Sequence, residues 1–205
     1  MTYLNHPQFS VLILCGGKSS RMGQDKALLQ LNGETLLQRA VRLGHQLGAA
    51  QVLISRNQSG FIQDQVQNAG PMAGIAAALS HCSSRWLLVL PIDMPLLSPL
   101  ALNPLLRYPI LQRHGGFIEG FPLPVMLEKT EVLQQLLAGL LADPSASRSL
   151  KSAWNRLGLK QLSMQTPEAF QNSNNPADFA KITALLATPV CRQAGVAAMR
   201  PCTGA

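Results

Sequence analysis

Charge is scarce in this 205-residue chain: Asp, Glu, Lys and Arg together make up 13% of it, and aromatic residues only 5%. No apolar run approaches the roughly 20 residues that a membrane-spanning helix needs. The opening segment, MTYLNHPQFS, lacks the cationic head and apolar stretch of a secretory signal. Cys15, Cys82, Cys191 and Cys202 are scattered with no C-x-x-C, which favours reduced thiols in a cytoplasmic protein over a disulfide framework or a zinc site. His6, His45, His81 and His114 also stand apart, without metal-ligand spacing, and read as structural or solvent-exposed. No G-x-S-x-G nucleophile turn occurs. A P-loop would need glycine where Leu12 stands, and a dinucleotide fingerprint would need it where Lys18 stands.

The chain does have apolar mass, with 47% hydrophobic residues and a mean hydropathy of +0.13. A globule of this length buries roughly 70% of its unfolded surface, so it needs no staple. Lys and Arg number 17 against 10 Asp and Glu, a net charge of +7 that suits an anionic partner. The basic residues are dispersed and have no aromatic interleaving. That argues against nucleic acid and against a membrane, and for a small phosphate-rich ligand.

Elements alternate along the chain. Phe9–Leu14 is continuously apolar, as a strand buried on both faces would be. Leu36, Leu37, Ala40, Val41 and Leu47 recur at helical spacing and Gly48 offers the stop. Val52–Ile54 reads as a second strand, and GPMAGIAAALSHC as a helix with Pro71 at its first position. Trp86–Leu90 is a third strand, followed by a helix capped at Ser98-Pro99 and limited by Pro104. A short strand near Leu123–Leu127, helices over Thr130–Ala142 and from Leu150 to Gly158, a strand over Leu159–Met164 and a helix from Pro176 complete the pattern. Such alternation implies α/β layers around a mostly parallel sheet. No linker splits residues 1–187, and residues 188–205 are small and irregular, reading as a disordered tail.

One loop concentrates what the rest of the chain lacks. In VLILCGGKSSRMGQDKALL, Gly16 and Gly17 follow a strand at its carboxyl end, where α/β sheets place ligands. Bare backbone N–H groups there can point at phosphate oxygens, with Arg21 adding a forked donor set and Lys26 a compact charge. Asp93 lies just beyond the third strand, at the same edge if the two strands are parallel. Magnesium favours hard oxygens and commonly uses one or two carboxylates plus substrate phosphates. An aspartate before Met-Pro is equally a turn former.

The same stretch closely resembles the L-x-G-G-x-S-x-R-M-G-x-D-K signature of molybdenum cofactor guanylyltransferases, at Leu14, Gly16, Gly17, Ser19, Arg21, Met22, Gly23, Asp25 and Lys26, with Cys15 at a usually small position. The resemblance continues through NGETLLQRAV, GPMAGIAAAL, LVLPIDMPLLSP and NSNNPADF, and is loose from Ala101 to Ala169. It implies a three-layer α/β/α, Rossmann-like nucleotidyltransferase fold. It also implies transfer of GMP from GTP to the phosphate of Mo-molybdopterin, with Mg2+ as cofactor and release of pyrophosphate. Other proteins of cofactor biosynthesis or insertion become candidate partners.

The implied catalytic set is Arg21, Lys26 and Asp93, with Asp93 as metal ligand. Nucleotide contacts fall to Leu14, Cys15, Gly16, Gly17, Lys26, Ser55, Asn57, Asp64 and Asp93. Ser55 aligns where the family has a guanine-reading asparagine, with Asn57 two residues on, and Asp64 is either a guanine acceptor or a solvated loop carboxylate. Phe121 replaces a histidine near the second substrate. Arg148, Asn172 and Asn174 are weaker substrate contacts, the asparagines also being explicable as loop and helix-start residues. The altered Ser55 leaves open a cytidylyltransferase for the same cofactor or a sugar-1-phosphate nucleotidyltransferase, and a nucleotide-binding module without catalysis is a separate reading.

Overall fold

The computed structural model describes residues 8–16, 25–164 and 166–187. The expected tail and the loop positions Gly17, Ser19, Arg21, Met22 and Gly23 lie outside these. A six-stranded sheet is built from β1 (Phe9–Leu14), β4 (Gln51–Ser55), β5 (Trp86–Pro91), β6 (Gly116–Ile118), β7 (Val125–Glu128) and β8 (Lys160–Leu162) in the order β4-β1-β5-β7-β6-β8. β1 pairs parallel with β4 and β5, and β6 with β8, while β7 runs antiparallel to both its neighbours. The mostly parallel α/β expectation holds, with one reversed strand.

Because successive strand side chains alternate faces, β1 divides its residues between two cores. Phe9, Val11 and Ile13 pack with Leu36 and Leu43 of α1 (Leu36–Gln46), Leu102 and Leu105 of α3 (Pro99–Gln112) and Ile182 of α6 (Pro176–Ala187). Leu12 and Leu14 pack with Met72 and Ile75 of α2 (Pro71–Leu79), Leu133 and Leu137 of α4 (Glu131–Ala142) and Trp154 of α5 (Leu150–Arg156). Helices therefore cover both faces, giving three layers.

Local signals explain most element ends. Gly48 (φ 77°) and Gly158 (φ 68°) stand just past α1 and α5 in the left-handed region. Asn175 Oδ1 accepts from the Asp178 amide at the start of α6, and Ser98 caps α3 through the Ala101 amide. Pro104 does not limit α3, which runs on to Gln112 through Pro104 and Pro109. The burial of Ala101, Leu102, Leu105 and Leu106 holds the helix together.

The last strand is shorter than expected, and three short strands were not anticipated. β6 has only three residues, too few for a period to declare itself. The hairpin of β2 (Gln30–Leu31) and β3 (Glu34–Thr35) turns at Asn32 (φ 54°) and Gly33 (φ 80°). Asn-Gly is the preferred pair for a turn with two positive φ angles, so this signal was present in NGET. Thr35 and Gln38 then form a capping box that launches α1.

Trp154 is fully buried, and its indole N–H donates to the Pro122 carbonyl at 2.8 Å, tying α5 to the Gly120–Leu123 segment. Trp154→Phe orphans that carbonyl and should lower the free energy of unfolding by about 1–3 kcal/mol, read as a fall in urea midpoint with unchanged m-value.

Candidate functional site

The parallel pairing of β1 with β4 and β5 brings three strand ends to one edge of the sheet, where two cavities adjoin. The first, about 560 Å³, is lined by residues that include Ser55, Arg56, Asn57, Asp64 and Gly70. The second, about 520 Å³, is lined by residues that include Lys26, Asp93, Phe121 and Asn172. Leu14, Cys15, Gly16, Asp25 and Pro71 line both, so the end of β1 is their common wall.

Asp93 stands on the same edge as Gly16 and Lys26. Lys26 Nζ is 3.9 Å from Asp93 Oδ2 and donates to Asn174 Oδ1 at 3.0 Å. The turn carrying Asp93 is fixed from two sides. The Ser173 amide donates to the Asp93 carbonyl at 2.7 Å, and Arg39 Nε of α1 to the Pro95 carbonyl at 2.6 Å. The NSNN segment thus reaches the site through Ser173, which is fully buried, and through Asn174. Burial pushes the Asp93 carboxyl above its usual range, against the opposing pull of the Lys26 ammonium. Such a half-buried carboxylate, incompletely neutralised by one lysine, fits a divalent cation whose remaining ligands come from phosphates. Among the described residues no group of three or more His, Cys, Asp or Glu could cage a metal.

In the first cavity Asn57 and Asp64 are reciprocally bonded. Asn57 Nδ2 donates to Asp64 Oδ2 at 3.0 Å, and the Asp64 amide to Asn57 Oδ1 at 2.8 Å. Ser55 is 2% exposed, and its Oγ would lie 2.5 Å from a Cβ added at Gly74. It packs beneath α2, while Asn57 presents an exposed amide. The start of α2 also opens here. Gly70 (φ 66°, ψ −155°) adopts a conformation essentially reserved for glycine, and Pro71 occupies the first helical position. With no side-chain hydrogen bond capping it, this helix start favours an anion.

Arg56 and Asp25 were not anticipated as site residues. Arg56, 8% exposed, pairs with the Asp25 carboxylate and lies over the Phe61 ring at 5.4 Å. Asp25 was noticed only as a signature position; the charge complementarity of Asp25 and Arg56 gave no signal without the fold. Cys15 is held neutral, its thiol pushed up to about 12 chiefly by burial. Arg148 lines neither cavity. It precedes the Ser149 cap of α5, and its Nε is buried without a partner among the described residues.

A family model described as MobA-like NTP transferase domain matches residues 11–155. The chain belongs to that family. It is 35% identical over 176 residues to the molybdenum cofactor guanylyltransferase of Xanthomonas euvesicatoria pv. vesicatoria, covering 83% of this chain and 92% of that protein. It is 34% identical to that of Pseudomonas syringae pv. tomato, over 72% of this chain and 74% of that one. The fold is similar to the solved structure of molybdopterin-guanine dinucleotide biosynthesis protein A from Archaeoglobus fulgidus. There the TM-score is 0.71 at 20% identity, covering 90% of this chain and 99% of that one.

The raised Asp93 carboxyl has a defined consequence for stability. The folded state binds this proton more tightly than the unfolded chain, so the ligand-free protein loses stability as pH rises through the folded-state value. Asp93→Asn, which does not ionise, should therefore unfold at higher denaturant than the parent at neutral pH. The difference should vanish in acid below the ordinary aspartate range.

Proposed function

We propose that this protein transfers GMP from GTP to the phosphate of Mo-molybdopterin, forming molybdopterin guanine dinucleotide and releasing pyrophosphate. The observation that carries this reading is the meeting of Lys26 and Asp93 beside the common wall of two cavities. One cavity takes the nucleotide and the other the acceptor, so that the α-phosphorus lies at the seam. Asn57 and Asp64 meet the base, the Asp64 carboxylate accepting from guanine N1–H and the exocyclic amine. Ser55, turned under Gly74, leaves that task to them.

The acceptor phosphate oxygen attacks the α-phosphorus, the bond from that phosphorus to the bridging oxygen breaks, and pyrophosphate leaves. The attacking oxygen is already anionic near neutral pH, so no general base is required. The obstacle is repulsion between polyanions and charge build-up on the leaving group. Preorganised cations and N–H donors are the remedy. Lys26 supplies one such cation, and the first turn of α2 supplies donors; Arg21 is assigned a second cation from the signature alone. Asp93 is the residue that would hold Mg2+, and the ion would supply positive charge against the phosphates. Asn172 lines the acceptor cavity and Asn174 holds Lys26. The reaction belongs in the cytoplasm, alongside proteins that load or insert the cofactor; Cys15 and Cys82, both free, suit a reducing compartment.

The test supplies Mo-molybdopterin, Mg2+ and each nucleoside triphosphate in turn, and follows pyrophosphate and the dinucleotide. GTP should be the productive donor. Lys26→Ala and Asp93→Ala should each lower turnover by at least ~10²-fold, as expected for preorganised electrostatic groups. Near-normal turnover in both would overturn the assignment. Asp64→Ala should reduce the preference for GTP over ATP by about tenfold or more, the worth of a charge-assisted hydrogen bond.

A further inference from the structure

Asp25 immediately precedes Lys26, and its two carboxylate oxygens have different employment. Oδ1 accepts from the Ala27 amide at 3.0 Å and caps the short helical turn Lys26–Leu28. Oδ2 accepts from the Arg56 guanidinium. Arg56 is anchored in turn. It follows directly on β4, its amide donates to the Ile62 carbonyl at 2.9 Å, and its guanidinium rests over Phe61. The first residue of the same turn, Lys26, reaches across to Asn174 and Asp93 beyond β5. A chain of directed contacts thus runs from the edge strand, past the end of β1, to the carboxylate on the other side.

We propose that Arg56 is a positioning residue for the transfer, acting through Asp25 to fix the backbone from which Lys26 extends. The inference rests on the reading of Lys26 as the cation that neutralises transferring phosphate. An ammonium on a four-carbon stem has wide rotational freedom, so its usefulness depends on where its Cα is held. Displacement of a positioned group by an ångström can cost about 10²-fold in rate. A charge-assisted hydrogen bond from Arg56 to Oδ2, with the Ala27 amide on Oδ1, holds the Asp25 carboxylate in one orientation. Its place on the wall of the first cavity also ties the seating of the nucleotide to the alignment of Lys26.

The test is a double-mutant cycle on the full chain. Arg56→Ala should lower kcat by about tenfold or more, and Arg56→Lys, which keeps the charge opposite Asp25, should recover part of it. In a Lys26→Ala background, Arg56→Ala should have little further effect on kcat, because the group it aligns is gone. A full, independent loss in that background, or a loss of GTP affinity with kcat intact, would overturn the proposal. If Arg56→Ala does not fold, Arg56→Gln takes its place in the cycle. Hydrogen exchange on the ligand-free protein separates this idea from the functional reading. Removing Arg56 should speed exchange at the Ala27–Leu29 amides and leave those of β5 unchanged, whatever the substrates are. Unchanged exchange at Ala27–Leu29 would sink the proposal, whereas absence of product from the parent protein would count only against the reading of the reaction.

Discussion

Every group assigned to the chemistry depends on one constraint, the position of β1 between β4 and β5 with all three strands pointing the same way. Strand ends then converge, and residues far apart in sequence become neighbours because the segments that carry them leave the sheet at one edge. Cys15 continues the β1 ladder by donating to the Ser55 carbonyl at 2.9 Å, and the Ile92 amide donates back to Leu14 at 3.2 Å. Backbone pairing therefore carries the register of the sheet out to the edge of the cleft. The two cores behind β1 resist its displacement, since alternate residues are locked on opposite faces.

The cleft combines opposed charges that are partly held out of water. Asp25 has Arg56, Asp64 has the Asn57 amide, and Asp93 has Lys26 at the longer distance of 3.9 Å. Of the two carboxylates with a cationic neighbour, Asp93 has the more distant one, consistent with burial prevailing in its raised carboxyl. A site that must bring together two phosphate-bearing molecules benefits from this imbalance. The cation proposed at Asp93 would arrive where the anions need it, while Lys26 remains directed by Asn174. The net charge of +7 is dispersed and assists approach, but the local pairs determine orientation.

How far the site could be read from the sequence follows the range of the interactions involved. Gly16, Lys26 and Asp93 were legible because strand ends and glycine bends obey local rules, and a parallel pairing was enough to join them. Asn174 was legible only as a motif position. That it reaches Lys26 depends on Ser173 docking to the Asp93 carbonyl, a contact between residues eighty positions apart. Ser55 and Asn57 could not be told apart without the packing of α2, whose Gly74 lies so close to the serine hydroxyl that a Cβ there would clash with it. Arg56 was illegible for a related reason, since its partner comes from another strand's loop. In the fold itself, β7 reversed direction because its link to β6 is too short for a crossover, and the tertiary burial of α3 overrode the prolines.

Cys15 illustrates how a reactive residue can be accommodated at such a seam. It lines both cavities, where a thiolate would add negative charge and a nucleophile beside the phosphates. Burial keeps it a thiol, against the attraction of Arg56, which favours ionisation, and with the help of Asp25, which opposes it. The Arg56–Asp25 pair offsets much of its own field at that sulfur. The same pairing that orients the Lys26 turn therefore leaves desolvation in control of Cys15. An oxygen nucleophile on the incoming substrate meets no competing thiolate there, in keeping with a reaction driven by placement of charge and donors alone.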